Sequence, residues 1–290
     1  MKGLIVTNAF YMTDNLNHQV KRFQEEFQKL GVVLDFKQNL FLAYVEGKDI
    51  VCDLDYDFII YFDKDPHIIR MLEKKGHKVF NSSYAMEVCD DKMKTYIELS
   101  GHGIKMPKTI NSPLLYKGND DGAFLSEIER AFTYPIIVKE CYGSFGMQVY
   151  KADKKSELVN LRETLKCKAH LYQEFIGFKK GEDVRIIVIG GKAAACMKRK
   201  SETDFRSNLE LGGKEYLFDA PKNFIEMAQL CAKILKLDYC GVDILFGKND
   251  EPVLCEVNSN AFFSGIESRT KVNIAGLYAQ HIIEKIKGRS

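Results

Sequence analysis

Within residues 241–265, GVDILFGKNDEPVLCEVNSNAFFSG, two apolar runs meet across the turn-rich GKNDE, a pattern that predicts a β-hairpin. Asp243, Glu256 and Asn258 lie inside these runs, where an unpaired carboxylate is costly. Glu256 and Asn258 are two residues apart and share one face of their strand. With Asp243 on the partner strand they form a set of hard oxygen donors suited to magnesium bridged to phosphates. The competing reading is a buried carboxylate salt bridge.

Ahead of this hairpin, apolar and amphipathic segments alternate. GLIVTNAF reads as a strand and HQVKRFQEEFQKLG as a helix, with Val20, Phe23, Phe27 and Leu30 on one face and Gly31 as its stop. YDFIIYF, a helix from about Pro66 and the short strand KVF continue the alternation to about residue 90, as expected of a small parallel sheet. YAMEVCDDKMKTYIELS, residues 84–100, reads as one helix, and a polar connection then runs to residue 123. AFLSEIERAF, YPIIVKE, the turn GSFG, MQVYKA, a helix over 156–166 and HLYQEFI form a compact α+β unit. VRIIVIGGKAAACMKRK predicts a hairpin at Gly190-Gly191. A polar segment, an amphipathic helix over 221–236, the opening hairpin and a helix over 274–287 complete the chain.

At 290 residues and 46% hydrophobic, two or three such units are expected. Lys and Arg number 42 against 40 Asp and Glu, so no global basic footprint points to nucleic acid. Eight cysteines without a CxxC pairing are expected as reduced, mostly buried thiols. MKGLIVTNAF is too short an apolar start for a signal peptide, and no run reaches the roughly 18 residues of a membrane span. A soluble, cytoplasmic protein that does not engage membranes is the expectation.

Several further segments carry chemistry. Lys139, at the end of a strand before GSFG, can present an ammonium and loop N–H groups to one polyphosphate, although GSFG alone is also an ordinary turn. Gln173-Glu174-Phe175-Ile176, followed by Asp183 and Arg185, offers partners to a heterocycle and its sugar, or else a solvated loop with an ion pair. In KRKSETDFRSNLELGG, the residues Lys198, Arg199, Lys200, Arg206, Ser207 and Asn208 lead out of a strand into a glycine-ended loop. That arrangement reads as a cationic lid over oxygens that gain charge.

The ordered set DDK (90–92), IIVKE, YQEFI, GEDVR, DFRSNLELGG, GVDIL and EVNSN resembles the ATP-grasp superfamily. Within it, the match is to the RimK-like group of the ribosomal-protein glutamate ligase type, over residues 82–290. The resemblance implies an α/β (α+β) chain of ATP-grasp fold. A small N-terminal parallel α/β domain (1–90) would precede a central lobe (91–172) and a C-terminal lobe (173–290) that sandwich ATP.

It also implies residue roles. Lys139 and Lys92 would bind phosphates; Glu174 and Phe175 would lie along the adenine and Asp183 near the ribose; Arg206, Ser207 and Asn208 would lie at the reacting phosphate end. Asp243, Glu256 and Asn258 would hold two magnesium ions, or manganese in their place, with Glu256 shared. Arg185 and Arg199 fall where the family uses arginines near phosphate and acyl substrate. The implied reaction joins an amine, as of a glutamate-like amino acid, to a carboxylate on a peptide, protein or small molecule through an acyl phosphate. No protein nucleophile is needed, and the six histidines lie outside these motifs.

One departure stands out. After EVN, this group commonly continues with a small residue, then Pro and Gly, whereas this chain has Ser259-Asn260-Ala261-Phe262-Phe263-Ser264-Gly265. The two aromatics are either core packing or the wall of a different substrate pocket. The departure also motivates an alternative function, an ATP-binding regulatory or scaffolding protein without ligation. Related enzymes often self-associate, so a homo-oligomer is a further expectation, although no helix carries a heptad seam.

Overall fold

Strands and helices alternate from the amino terminus of the computed structural model, which describes residues 1–40, 42–116 and 122–288. The first unit contains β1 (Lys2–Thr7), α1 (Asp14–Lys29), β2 (Val33–Gln38), β3 (Tyr44–Glu46), β4 (Asp49–Val51), β5 (Phe58–Tyr61), α2 (Pro66–Lys74), β6 (Val79–Phe80) and α3 (Ser83–Asp90). Its sheet runs β2-β1-β5-β6, all parallel. Thr13 caps α1 by accepting from Leu16 N at 3.2 Å, so the helix starts ahead of the apolar stripe that announces it. The sequence gives no warning of β2 or of the β3–β4 hairpin. β2 buries little and β3 is wholly exposed, so neither carries the alternation that marks a half-buried strand.

The helix expected over 84–100 is two helices, α3 and α4 (Lys92–Leu99). Asp91 breaks it: its backbone is extended, with ψ of 106°, and its Oδ1 accepts from Met93 N at 2.9 Å and Lys94 N at 3.2 Å. A local side-chain cap competes with helix continuation and wins here. The break turns Lys92 into the first residue of α4.

The second unit holds β7 (Thr109–Asn111), α5 (Ala123–Ala131), β8 (Ile136–Glu140), β9 (Val149–Ala152), α6 (Lys155–Leu165) and β10 (His170–Glu174), in the antiparallel order β7-β10-β8-β9. Part of the polar connection expected before it, residues 117–121, lies outside the described residues. Its core is its own, built on Leu125, Ile128, Ile136, Val138, Leu158 and Tyr172. His170 is fully buried there, with Nδ1 2.7 Å from Lys168 O and Nε2 3.2 Å from the Tyr172 hydroxyl. These partners fit the neutral ring, with Nδ1–H donating and Nε2 accepting.

Burial pushes the pKa of His170 below its ordinary value. The unfolded chain therefore takes up this proton first as pH falls through about 6.5, and stability is lost below that point. The urea midpoint of the wild type should accordingly drop between about pH 7 and pH 5 more steeply than that of His170→Gln. Parallel slopes for the two proteins would refute this.

The third unit contains β11 (Glu182–Ile189), β12 (Lys192–Lys200), β13 (Lys214–Leu217), α7 (Lys222–Ile234), β14 (Tyr239–Phe246), β15 (Pro252–Asn258), α8 (Ser264–Thr270) and α9 (Ile274–Ile286). Its antiparallel sheet runs β13-β12-β11-β14-β15. Gly190 and Gly191 turn between β11 and β12 with φ of 55° and 77°, the left-handed pair that a tight hairpin requires. One face of the sheet packs on α7 in a core that also takes Leu99 of α4, and the other shares a core with α1, α8 and α9. There Phe23 meets Phe263 at 5.2 Å and Tyr278 at 5.8 Å between ring centroids.

Asn81, 1% exposed, staples the first unit to the third. Its Nδ2 donates to Tyr239 O at 2.8 Å and Ser259 O at 2.9 Å, while its Oδ1 accepts from Asp238 N at 2.8 Å and Tyr239 N at 3.1 Å. All eight cysteines are free thiols; seven are buried or half-buried, and Cys167 is exposed. Among the described residues no helix is long and apolar enough to cross a membrane.

Candidate active site

Strand register assembles the polar centre. Asp183 lies opposite Arg199, Arg185 opposite Asp243, and Asp243 opposite Glu256, so four strands contribute to one array. Arg185 is bidentate on Asp243, with Nε to Oδ1 and Nη2 to Oδ2 both at 2.7 Å. Arg199 is bidentate on Asp183 at 2.8 and 2.5 Å and also reaches Asp243 Oδ2 at 2.9 Å. Asn258 Nδ2 donates to the same oxygen at 3.3 Å.

Burial opposes the charge on Asp243, and the two guanidiniums more than offset it, holding its pKa below the usual carboxylate value. Burial works against Arg199 as well, and Asp183 and Asp243 hold its pKa above that of an ordinary arginine. The buried salt bridge that competed with a metal in the sequence is therefore present at Asp243.

A divalent cation still fits this donor set. The Glu256 carboxylate makes no hydrogen bond or ion pair among the described residues. Asn258 uses only its amide nitrogen, and Asp243 Oδ1, with a single arginine contact, keeps a lone pair. No three His, Cys, Asp or Glu side chains converge among the described residues, so a cation here would draw its other ligands from phosphate oxygens and water.

Two chambers meet at this centre. The smaller, about 80 Å³, lies between the second and third units and is lined by Lys139, Glu174, Phe175, Asp183, Arg206 and Ser207 among others. Phe175 meets Phe205 edge-on at 6.4 Å. Asp183 lines this chamber with both oxygens already on Arg199, and a carboxylate oxygen can accept a further bond. The larger, about 260 Å³, lies between the first and third units, and Arg185 and Asn258 line it. Arg199, Asn208 and Glu256 line both.

Lys139 and Lys92 are buried beside the glycine loop of residues 141–148. Burial lowers the pKa of Lys92, and Glu256 counters it only in part. At Lys139 burial pulls the same way, but the anionic forms of Tyr96 and Cys255 and the Glu256 carboxylate outweigh it, and the pKa rises. Lys92 Nζ donates to Gly143 O at 3.2 Å, and Lys64 Nζ, paired with Asp90 at 3.1 Å, reaches the same carbonyl at 3.4 Å.

The lid of residues 201–213 closes on this loop. Arg206 donates through Nη1 to Gly146 O at 2.7 Å and Val149 O at 3.1 Å, and is held by Asp204 at 2.8 Å. A Cβ on Gly213 would come within 2.2 Å of Ser207 O, so the second glycine of LGG lets the lid fold back on itself.

The expected site residues thus line the two chambers, except Lys92, which reaches the glycine loop from beside them, and Lys198 and Lys200, which pair with Glu182 at 3.4 and 3.2 Å instead of joining the lid. No histidine lines either chamber. Motif reading missed Asn8, Tyr11, Phe62, Asp63 and Lys64, which wall the larger chamber. They follow β1 and β5 directly, and the carboxyl ends of parallel strands are where open α/β sheets bind ligands. That topological signal could have found them. The aromatic pair is divided: Phe263 is fully buried in the shared core, whereas Phe262 walls the larger chamber.

A family model described as the RimK-like ATP-grasp domain matches residues 89–286. Human beta-citrylglutamate synthase B is 32% identical over 222 residues, which are 76% of this chain and 56% of that protein, so the chain spans little more than half of such relatives. A probable alpha-L-glutamate ligase of Halorhodospira halophila is 36% identical over 220 residues, 74% of this chain and 70% of its own. D-alanine–D-alanine ligase from Bacillus anthracis superposes with a TM-score of 0.75 over 100% of this chain and 98% of its own, at 17% identity, a likeness of fold.

Proposed function

Since the chain belongs to the RimK-like ATP-grasp family, we propose that it is an ATP- and magnesium-dependent carboxylate–amine ligase. The observation that carries this reading is the pair of chambers meeting at Arg199, Asn208 and Glu256. Such a junction suits transfer of a phosphoryl group between two bound molecules, for which positioning and charge neutralisation suffice.

In this reading ATP occupies the smaller chamber. Glu174 and Phe175 lie along the base, Asp183 lies near the ribose, and Lys139 and Lys92 face the phosphates. Asp243, Glu256 and Asn258 would hold the magnesium ions, with Glu256 shared. Magnesium supplies neutralisation of phosphate charge when bound. Arg185 and Arg199 orient the acceptor carboxylate, whose oxygen attacks the γ-phosphorus as ADP leaves. Arg206, Ser207 and Asn208 hold the transferring group and exclude water. The amine, proposed as that of a glutamate-like amino acid, then attacks the acyl carbon, sheds a proton and expels phosphate.

Incubating the purified chain with ATP, magnesium and a panel of amino acids and carboxylic acids should release ADP and yield an amide detectable by mass. Hydroxylamine should trap the acyl phosphate as a hydroxamate. Glu256→Gln keeps the side chain's size and removes its charge, and should abolish the magnesium-dependent release. ATP binding without a covalent product across the panel would instead favour the regulatory or scaffolding class.

A further inference from the structure

Phe262 does more than fill space. Its ring lies between Phe62, at 6.4 Å and 24°, and Phe145, at 5.9 Å and 28°, and Phe145 stacks in turn on Tyr11 at 5.8 Å and 27°. These near-parallel rings come from all three units and form one continuous wall of the larger chamber. Phe145 reaches the wall from the glycine loop with a left-handed φ of 59°, a conformation that bulky residues rarely adopt. Phe262 belongs to the segment where this chain departs from its group's usual small residue, Pro and Gly.

Charge in the same chamber argues in the same direction. Each of its three cations is already committed: Arg185 to Asp243, Arg199 to Asp183 and Asp243, and Lys64 to Asp90. Three further acids face the cavity. Asp63 is met by the amides of Asn8 and Asn39, at 3.0 and 2.8 Å, and by the Lys64 backbone N–H, with no cation paired to it among the described residues; Glu215 has Arg269 no nearer than 3.8 Å, and Glu210 completes the set. A molecule whose reacting carboxylate sits at the shared floor would extend its other end along the rings and these acids. A second carboxylate there would be desolvated against apolar faces and repelled.

Resting on the ligase reading, we infer that the acceptor is a monocarboxylate with a flat apolar arm, held along the Phe62–Phe262–Phe145–Tyr11 wall, and that Phe262 determines this specificity. The acceptor is thus unlike a dicarboxylate, whatever amine is joined to it.

The test compares two acids that share the reacting group and differ at the far end, 3-phenylpropanoate and glutarate, with ATP, magnesium and hydroxylamine as the amine surrogate. Hydroxamate should form at least tenfold faster from 3-phenylpropanoate, and Phe262→Arg should cut that ratio at least tenfold. Equal rates, or a preference for glutarate, would overturn the inference while leaving the ligase reading intact. If neither acid reacts, saturation-transfer NMR with ADP and magnesium present decides. Selective binding of 3-phenylpropanoate sustains the inference even as ligation fails, and binding of neither acid, or of glutarate equally, ends it.

Discussion

Arg206→Ala is expected to release ADP about 10²–10³-fold more slowly than the wild type at saturating substrates, the usual cost of deleting a preorganised donor to developing charge. The loss has two physical sources. One is the missing guanidinium in the smaller chamber. The other is the clasp: Arg206 bonds two carbonyls of the 146–149 segment, Asp204 steers it, and it lies over the Phe205 ring at 5.3 Å. Arg206→Lys separates the two, since lysine keeps the charge but cannot bond carbonyls and a carboxylate in one planar fork. Partial rescue by lysine is the expected result. An alanine variant within threefold of wild type would remove Arg206 from the proposed machinery.

The second large effect is on stability. Arg199 is 3% exposed and is the only basic group bonded to Asp183 among the described residues. Arg199→Met should cost about 3–5 kcal/mol, because it leaves a buried carboxylate without compensation. A shift of the urea midpoint at constant m-value would register this. Removing the opposing charge as well, in Asp183→Leu/Arg199→Met, should recover most of the loss, since an apolar pair of similar volume is often as stable as a buried ion pair. A single variant as stable as wild type would show that water or rearrangement already solvates Asp183. Asp243 contributes with a definite sign. Its pKa is depressed, so its stabilisation is present above the unfolded carboxylate pKa of about 3.9 and is lost as pH falls through the folded value.

The legibility of the chain followed the physics of each element. β14 and β15 could be read because their apolar runs are bounded by turn residues, and the Gly190-Gly191 hairpin because two left-handed positions leave little choice of residue. β2 and the β3–β4 hairpin could not, because they bury too little to leave a pattern. The break at Asp91 was hidden because the apolar period runs through it and one carboxylate decides the matter. In the site, residues carried by contiguous motifs of the second and third units were visible. Asn8, Tyr11, Asp63 and Lys64 were not, because topology rather than local sequence brings them to the chamber. The sequence left Phe262 and Phe263 between core and pocket, and adjacent positions with different burial gave one to each.

The staple at Asn81 has a mechanical meaning. With four hydrogen bonds and a common apolar core, the first and third units are joined as one anvil. The second unit keeps its core to itself and meets the rest of the chain through loop contacts: Cys141 O accepts from Lys92 N at 3.0 Å, and Phe145 stacks on Tyr11 and Phe262. Apart from Ser144 and Phe145, the chamber between the first and third units is therefore walled by residues of one fused body. The chamber facing the second unit is a vice, with Arg206 one of the clasps between its jaws. In the proposed ligase, the acceptor would be gauged inside the fused body and the nucleotide gripped at the separate joint.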